Sequence, residues 1–379
     1  MFNKIDKNIL DKIITLESDK DIEVIVRVSN IELAKEEIFK NLDYKYFIEL
    51  PFVSCLAIST NIENIYKLAK NNLVKFISEN THVTSLVYNS KKFINFDVLN
   101  KKVLVNGVHS CVVIDTGVYP HVDFCLGKNR IIKFVDLING KSRMYDDNGH
   151  GTFVAGVLGS TGVVSKYSGY DSNSNIIVIK ALDKDGETTT TKILQAMQWV
   201  VKNREKYNIK VVCMSFGSVR RDSDPLVYGA DILWKSGIVV VTAAGNSGPQ
   251  GSTIMSPGAS KRVITVGALD TTKDNFFKVA GFSSRGPVKN YYKPDIMVPG
   301  VDIISDNVYS FDKRFYTQMS GTSMSTPMVA GIASLLLSYN PNYTPDQIKY
   351  MLIKSCVVIN GDRNIEGYGR LDLSKLILL

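Results

Sequence analysis

Short runs of β-branched and other apolar residues recur along the chain from about residue 103. They are Val112-Val113-Ile114, Ile176-Ile177-Val178-Ile179, Val211-Val212-Cys213-Met214, Ile238 to Val241 and Val263 to Val266. Runs that are continuously apolar, rather than alternating, predict strands buried on both faces of a parallel sheet. Helical spacing lies between and after them. Residues 189–204 bring Ile193, Met197 and Val200 or Val201 to one face, residues 324–339 are a largely apolar helix, and residues 345–356 form another with Thr344 as N-cap and Pro345 in the first turn. Strands alternating with helices predict an α/β fold, doubly wound, with a mainly parallel sheet and helices on both faces.

The chain before residue 88 follows a different pattern. Ile22 to Val28 alternates as a half-buried strand does, and residues 31–42 carry Ile31, Leu33, Ala34, Ile38 and Leu42 at helical spacing. Tyr46 to Ser59 is a second β-rich run, with room for a hairpin. Asn61 is placed to cap a helix from Ile62 to about Asn71, and Val74–Ile77 and Val83–Val87 have strand character. The order is β-α-β-α-β, a small α+β domain over residues 1–87. Residues 88–102 are polar without a clear period and read as a linker. Residues 103–379 are the main domain.

Composition adds bounds. The chain has 379 residues, 45% of them apolar and 22% charged, which is ordinary for a globular protein. No uncharged apolar stretch of about 18 residues predicts a membrane span. Net charge is +8, but no run of five or six basic residues suggests nucleic-acid binding. The charge is uneven. Residues 1–90 hold 11 Lys and Arg against 13 Asp and Glu, leaving 34 against 24 in the remainder. An acidic N-terminal piece beside a basic main body is the informative feature. The five cysteines, Cys55, Cys111, Cys125, Cys213 and Cys356, are odd in number and widely spaced, so they form neither a disulfide framework nor a zinc signature. With no secretory signal at the N-terminus, they favour the cytoplasm, although export by an unusual route stays open.

Three segments carry chemistry. Val112-Val113-Ile114-Asp115-Thr116-Gly117 is a strand ending in a carboxylate, where α/β folds place their sites. Asn148-Gly149-His150-Gly151-Thr152 sets a histidine between glycines that free it from bulky neighbours. Ser320-Gly321-Thr322-Ser323-Met324 opens an apolar helix with a serine hydroxyl beside helix N–H groups that can hold an oxyanion. Asp-Thr-Gly also marks aspartic proteases, but those need two such motifs or a dimer of short chains, and one motif occurs here.

In this order the segments are identified as those of the subtilisin-like serine peptidases, the subtilases. Asp115 lies 35 residues before His150, and Ser323 lies 173 after it, spacings similar to the family's. Ala243-Ala244-Gly245-Asn246-Ser247-Gly248 resembles the family's oxyanion block, and Lys293-Pro294-Asp295-Ile296-Met297-Val298-Pro299-Gly300 resembles a structural signature. The resemblance covers residues 103–375. It implies a serine endopeptidase in which Ser323 attacks, His150 shuttles the proton, Asp115 orients His150 and Asn246 donates to the oxyanion. It implies a peptide or protein substrate laid along Ser215-Phe216-Gly217, with an opposite edge strand beginning at Thr188 to Ile193. It also implies a specificity pocket walled by Ala243, Ala244 and Gly245, with its floor near Met255 and an apolar preference. The N-terminal domain looks like a subtilase propeptide, an intramolecular inhibitor whose tail, His82 to Val87, would enter the cleft and be removed by self-processing. The implied role is intracellular turnover or limited maturation of a specific protein or peptide. A rival is a non-catalytic regulator that binds peptides with its N-terminal domain locked in place.

Phe153 and Ser325 depart from the commoner His and Ala of relatives without touching the triad logic. No cofactor is required. Asp123 matches a family calcium-ligand position, so the resemblance leaves a structural calcium open with Asp123 as candidate ligand, although the loop Gly159 to Gly169 is not recognisably the one that supplies the other ligands. No His, Cys and carboxylate spacing supports zinc.

Overall fold

The computed structural model describes residues 2–6, 9–10, 21–45, 47–79, 86–102, 108–126, 129–164, 167–272, 277–308 and 314–378. The chain divides into two compact units, Met1–Thr84 and Ser85–Leu379.

The smaller unit contains strands β1 (Ile22–Val28), β2 (Phe47–Leu50), β3 (Cys55–Thr60) and β4 (Val74–Glu79), with helices α1 (Ile31–Glu37) and α2 (Ile62–Lys70). Its antiparallel sheet has the order β2-β3-β1-β4. The alternation of β1 is realised, since Ile22, Val24, Val26 and Val28 are buried. They share a core with Leu56, Ile58, Ile65 and Ile77. Asn30 and Asn61 cap the two helices by accepting from the N–H groups of Leu33 and Asn64. Of the strand expected over Val83–Val87, residues 83–85 lie outside the described residues, and Leu86 and Val87 open a helix instead.

That helix, α3 (Leu86–Phe93), is followed by α4 (Phe96–Lys102), so residues 88–102 are not a linker. They belong to the larger unit. Ile94, Phe96 and Leu99 are buried in its main core, the Phe96 ring sits edge-on to Tyr170 at 4.9 Å, and the Ile94 carbonyl accepts from the Leu373 N–H. Apolar residues are present along 86–102, but they follow no helical or strand period, so the sequence does not announce two short helices. Tertiary burial forms them.

In the larger unit the strands are β5 (Ser110–Asp115), β6 (Ile131–Asp136), β7 (Asn175–Lys180), β8 (Ile209–Met214), β9 (Val239–Ala243), β10 (Ile264–Asp270), β11 (Lys278–Val279), β12 (Ile296–Pro299), β13 (Ile303–Asp306), β14 (Tyr316–Met319), β15 (Cys356–Val357) and β16 (Arg370–Leu371). The main sheet runs β15-β16-β12-β10-β9-β8-β5-β7-β6, with β11 beside β10, while β13 and β14 form a separate hairpin. The central pairings are parallel, and only β15 and β11 run against their partners. Helices α5 (Val122–Cys125), α6 (His150–Gly159), α7 (Thr190–Asn203), α8 (Pro225–Lys235), α9 (Thr322–Tyr339), α10 (Pro345–Lys354) and α11 (Arg363–Glu366) complete the α-helices of the described residues. Helices α6 and α9 pack together, as do α7 and α8, and the pairs cover the two faces of the sheet. Gly331 lets α9 approach α6, because a Cβ there would lie 2.6 Å from the Leu158 carbonyl oxygen.

Strand order reverses at β5. The chain runs from it to β6 and β7 on one side and to β8, β9 and β10 on the other. Crevices outside the carboxyl ends of the strands at such a point are where α/β folds bind ligands. Asp115 ends β5 there. Ile114 is paired with Met214, so Asp115 and Ser215 emerge side by side.

Candidate active site

Asp115 is fully buried at the end of β5. Its Oδ1 accepts from the Thr116 N–H at 2.8 Å and from His150 Nδ1 at 2.7 Å. A carboxylate only accepts, so the proton between them lies on Nδ1, and the neutral ring carries its lone pair on Nε2. Burial works against the imidazolium. The charge and hydrogen bond of Asp115, helped by the charge of Asp146, outweigh it and raise the His150 pKa above its ordinary value.

The glycines around His150 do more than clear space. Gly149, at φ +103°, occupies the left-handed region as N-cap of α6. Gly151 lets α6 begin against the β5 loop, because a Cβ there would lie 2.2 Å from the Gly117 carbonyl oxygen.

Asp146 organises this junction, and the motif reading missed it. Its Oδ1 accepts from Thr116 Oγ1 at 2.9 Å, Asn148 N at 3.1 Å and Gly149 N at 2.9 Å. Its Oδ2 accepts from Thr152 N at 2.9 Å and Thr152 Oγ1 at 2.6 Å. One buried carboxylate therefore satisfies N–H groups at the start of α6 and ties them to the loop after Asp115. The detectable signal was an Asp four residues before the histidine, in reach of the first helical turn. Lys180, also missed, is fully buried beneath the same loop, donating to the Thr116 and Leu182 carbonyls and to Asp147.

Ser323 is the second residue of α9. Its hydroxyl donates to the Ser215 carbonyl at 2.7 Å, and no hydrogen bond joins it to His150. Catalytic hydrogen bonds commonly tighten only when substrate binds. Asn246 stands on the other side of the helix start. Its Oδ1 accepts from Thr322 N at 3.0 Å and Thr322 Oγ1 at 2.9 Å. That pairing turns the amide NH2 away from Thr322 and leaves it as the donor end.

The expected pocket walls also meet. A Cβ on Gly217 would lie 2.7 Å from Met255 Cβ, and one on Gly245, at φ +106°, would lie 2.5 Å from Met255 Cγ. The Met255 side chain thus fills the space between the Ser215-Phe216-Gly217 segment and the Ala243-Ala244-Gly245 wall. The opposite edge is shorter than expected. Thr189 is extended and caps α7, so Thr190 to Ile193 are helical and only Thr188 and Thr189 remain as edge.

Asp123 lies in α5, with its carboxylate taking hydrogen bonds from Tyr316 Oη at 2.7 Å, Ser160 Oγ at 3.1 Å and Val164 N at 3.4 Å. Calcium needs six to eight oxygen ligands. Among the described residues the side chains that join Asp123 in a candidate metal group are His121 and Asp306, which include a nitrogen donor, so this set does not fit calcium.

A switch-point crevice holding an acid-paired histidine, with a serine at a neighbouring helix start, is the architecture of a serine-dependent hydrolase. Comparison with known proteins agrees. The Subtilase family model matches residues 109–369. "Serine protease AprX" of Bacillus subtilis is 42% identical over 318 residues, covering 76% of this chain and 69% of that protein. A "thermostable alkaline protease" of Halalkalibacterium halodurans is 28% identical over 93% of this chain and 91% of its own. The crystal structure of a cold-adapted subtilisin-like serine proteinase superposes with a TM-score of 0.60 at 28% identity, covering 72% of this chain and 91% of that one. The chain belongs to the subtilase family and is a serine protease.

Asp146→Asn tests the junction directly. Removing its charge takes away support for the imidazolium, so the His150 pKa should fall. The four histidines, His82, His109, His121 and His150, make the ring-proton titration tractable by NMR. The His150 midpoint should move to lower pH, and the fold should lose about 1–3 kcal/mol, the usual scale for leaving charged-group partners unsatisfied. An unmoved midpoint would contradict the assigned influence.

Proposed function

We propose that the chain is an active endopeptidase working through Asp115, His150 and Ser323. Ser323 Oγ attacks the peptide carbonyl, and His150 Nε2 takes its proton and returns it to the leaving amine. Asp115 holds the ring in the required tautomer and stabilises its cation. The Asn246 amide and the Ser323 backbone N–H receive the oxyanion. The observation that carries this reading is the 2.7 Å bond from His150 Nδ1 to buried Asp115, which orients Nε2 as the base. An extended substrate adds as a strand along Ser215-Phe216-Gly217. In doing so it competes for the Ser215 carbonyl and releases the Ser323 hydroxyl toward His150.

We also propose that the unit Met1–Thr84 is an intramolecular inhibitor and folding aid, removed by the enzyme itself. Because α3 and α4 belong to the larger unit, the cut belongs near the boundary at residue 84, ahead of them. The proposed setting is intracellular, in protein turnover or limited maturation, supported by five free cysteines.

Ser323→Ala should abolish peptide hydrolysis and keep the full-length mass, whereas wild type should lose roughly its first 85 residues. The triad acts as a unit, so turnover should fall by about 10⁶ in the variant. Near-wild-type turnover in Ser323→Ala would refute the mechanism. An intact N-terminus on a fully active wild type would refute the processing.

Met255 should restrict the residue before the scissile bond to small apolar side chains. Met255→Ala should raise kcat/KM for substrates with Phe or Leu there relative to Ala, by about 10-fold or more, since pocket contacts of this size are worth about 1–3 kcal/mol. An unchanged ratio of kcat/KM values would remove Met255 from the pocket.

A further inference from the structure

We propose that His121, Asp123 and Asp306 bind one divalent first-row transition-metal ion, of the zinc or manganese class. The ion would brace the three segments that carry Asp115, His150 and Ser323. The proposal does not depend on the catalytic roles assigned above, only on the geometry of these side chains.

All three residues are buried. One donor atom from each lies within 4.8 Å of the others. His121 Nδ1 is 3.7 Å from Asp306 Oδ2 and 3.9 Å from Asp123 Oδ2. These separations are too long for hydrogen bonds. They lie within the roughly 4 Å that can separate two ligands each about 2.0–2.2 Å from one ion. The histidine is set in the ligating tautomer. Its Nε2 donates to the Phe315 carbonyl at 3.0 Å, which leaves the Nδ1 lone pair facing the carboxylates. A ring N–H fixed on a backbone carbonyl is the usual outer support of a metal-bound histidine. That one Nδ1 lone pair accepts from the Asp123 N–H at 3.2 Å, a contact the ion would have to displace.

The second observation is Asp306 itself. It is fully buried, and its Oδ2, aimed at His121 Nδ1, has no hydrogen-bond partner. Its Oδ1 lies 3.3 Å from Ser160 Oγ, whose single proton has its shorter contact, 3.1 Å, with Asp123 Oδ2. Two carboxylates and an imidazole lone pair converging in a buried space repel one another unless a cation or a proton intervenes. Asp123 is oriented from outside by Tyr316 Oη and Ser160 Oγ, an outer shell for a ligating carboxylate. One nitrogen with two carboxylates suits zinc or manganese better than calcium.

The placement gives the ion a purpose. His121 and Asp123 sit on the segment that follows Asp115. Ser160 ends the helix that begins at His150. Asp306 and Tyr316 lie on the β13–β14 hairpin that leads into Ser323. Sequence spacing concealed the group, because its third member lies far along the chain from the other two.

The test uses the untagged, full-length Ser323→Ala protein, which keeps self-cleavage out of the readout. Purified without chelator, it should carry about one zinc or manganese per chain by elemental mass spectrometry. Chelation should lower its melting temperature by several degrees, and micromolar Zn²⁺ or Mn²⁺, but not Ca²⁺, should restore it. Adding Asp306→Asn should weaken binding by at least about 100-fold, the upper range for loss of even an outer partner. It should also abolish the response to chelator. A parent protein with no bound metal and no response to Zn²⁺ or Mn²⁺ would overturn the proposal and leave a proton-sharing carboxyl pair. Restoration by Ca²⁺ alone, or undiminished binding in the Asp306→Asn protein, would overturn it as well.

Discussion

Everything at the cleft depends on bringing His150 to Asp115. The 2.7 Å hydrogen bond spans two elements, the end of β5 and the start of α6, and the chain must let them nearly touch. Gly117, at φ +131°, and Gly151 make that approach possible, since side chains there would strike the Tyr145 and Gly117 carbonyls. Asp146 then fixes the approach by holding the first N–H groups of α6 and the Thr116 hydroxyl together. Losing the His150 partner leaves the buried Asp115 oxygen without that hydrogen bond, a cost on the order of 1–3 kcal/mol. Rigidity at this junction is what lets one ring nitrogen be aimed.

The serine side is built from a different constraint. Helix α9 is buried over nearly its whole length, and Gly331 seats it against α6, so Ser323 and His150 start two helices in mutual contact. Asn246 closes the arrangement by accepting from Thr322, which joins the end of β9 to the start of α9. Behind them, Lys293 uses its ammonium on the Val263 carbonyl, the Thr265 hydroxyl and Asp295. This buried set anchors the entry to β12 and gives a physical reason for the Lys293 to Gly300 motif.

The central strands were legible because burial on both faces demands apolar residues at every position, a pattern that survives without knowledge of neighbours. The Asp115, His150, Ser323 and Asn246 segments were legible because chemistry restricts residue type and order. What escaped depends on partners distant in sequence. Helices α3 and α4 exist because Ile94, Phe96 and Leu99 find the main core, and the lack of a helical or strand period hides this. The helical turn at Thr190 to Ile193 follows from the Thr189 cap accepting from Lys192, a local signal that the family comparison overrode. Met255 was placed near the pocket floor, but its filling of the space between Gly217 and Gly245 needed the fold.

The central claim is that the Asp115–His150 pair makes Ser323 a nucleophile. The most direct measurement is labelling with a fluorophosphonate, followed by peptide mapping across a pH series. The account predicts a single adduct on Ser323, formed at a rate that rises as His150 loses its proton and is lost in His150→Ala. Labelling of another serine, or equal labelling of Ser323 without His150, would contradict it.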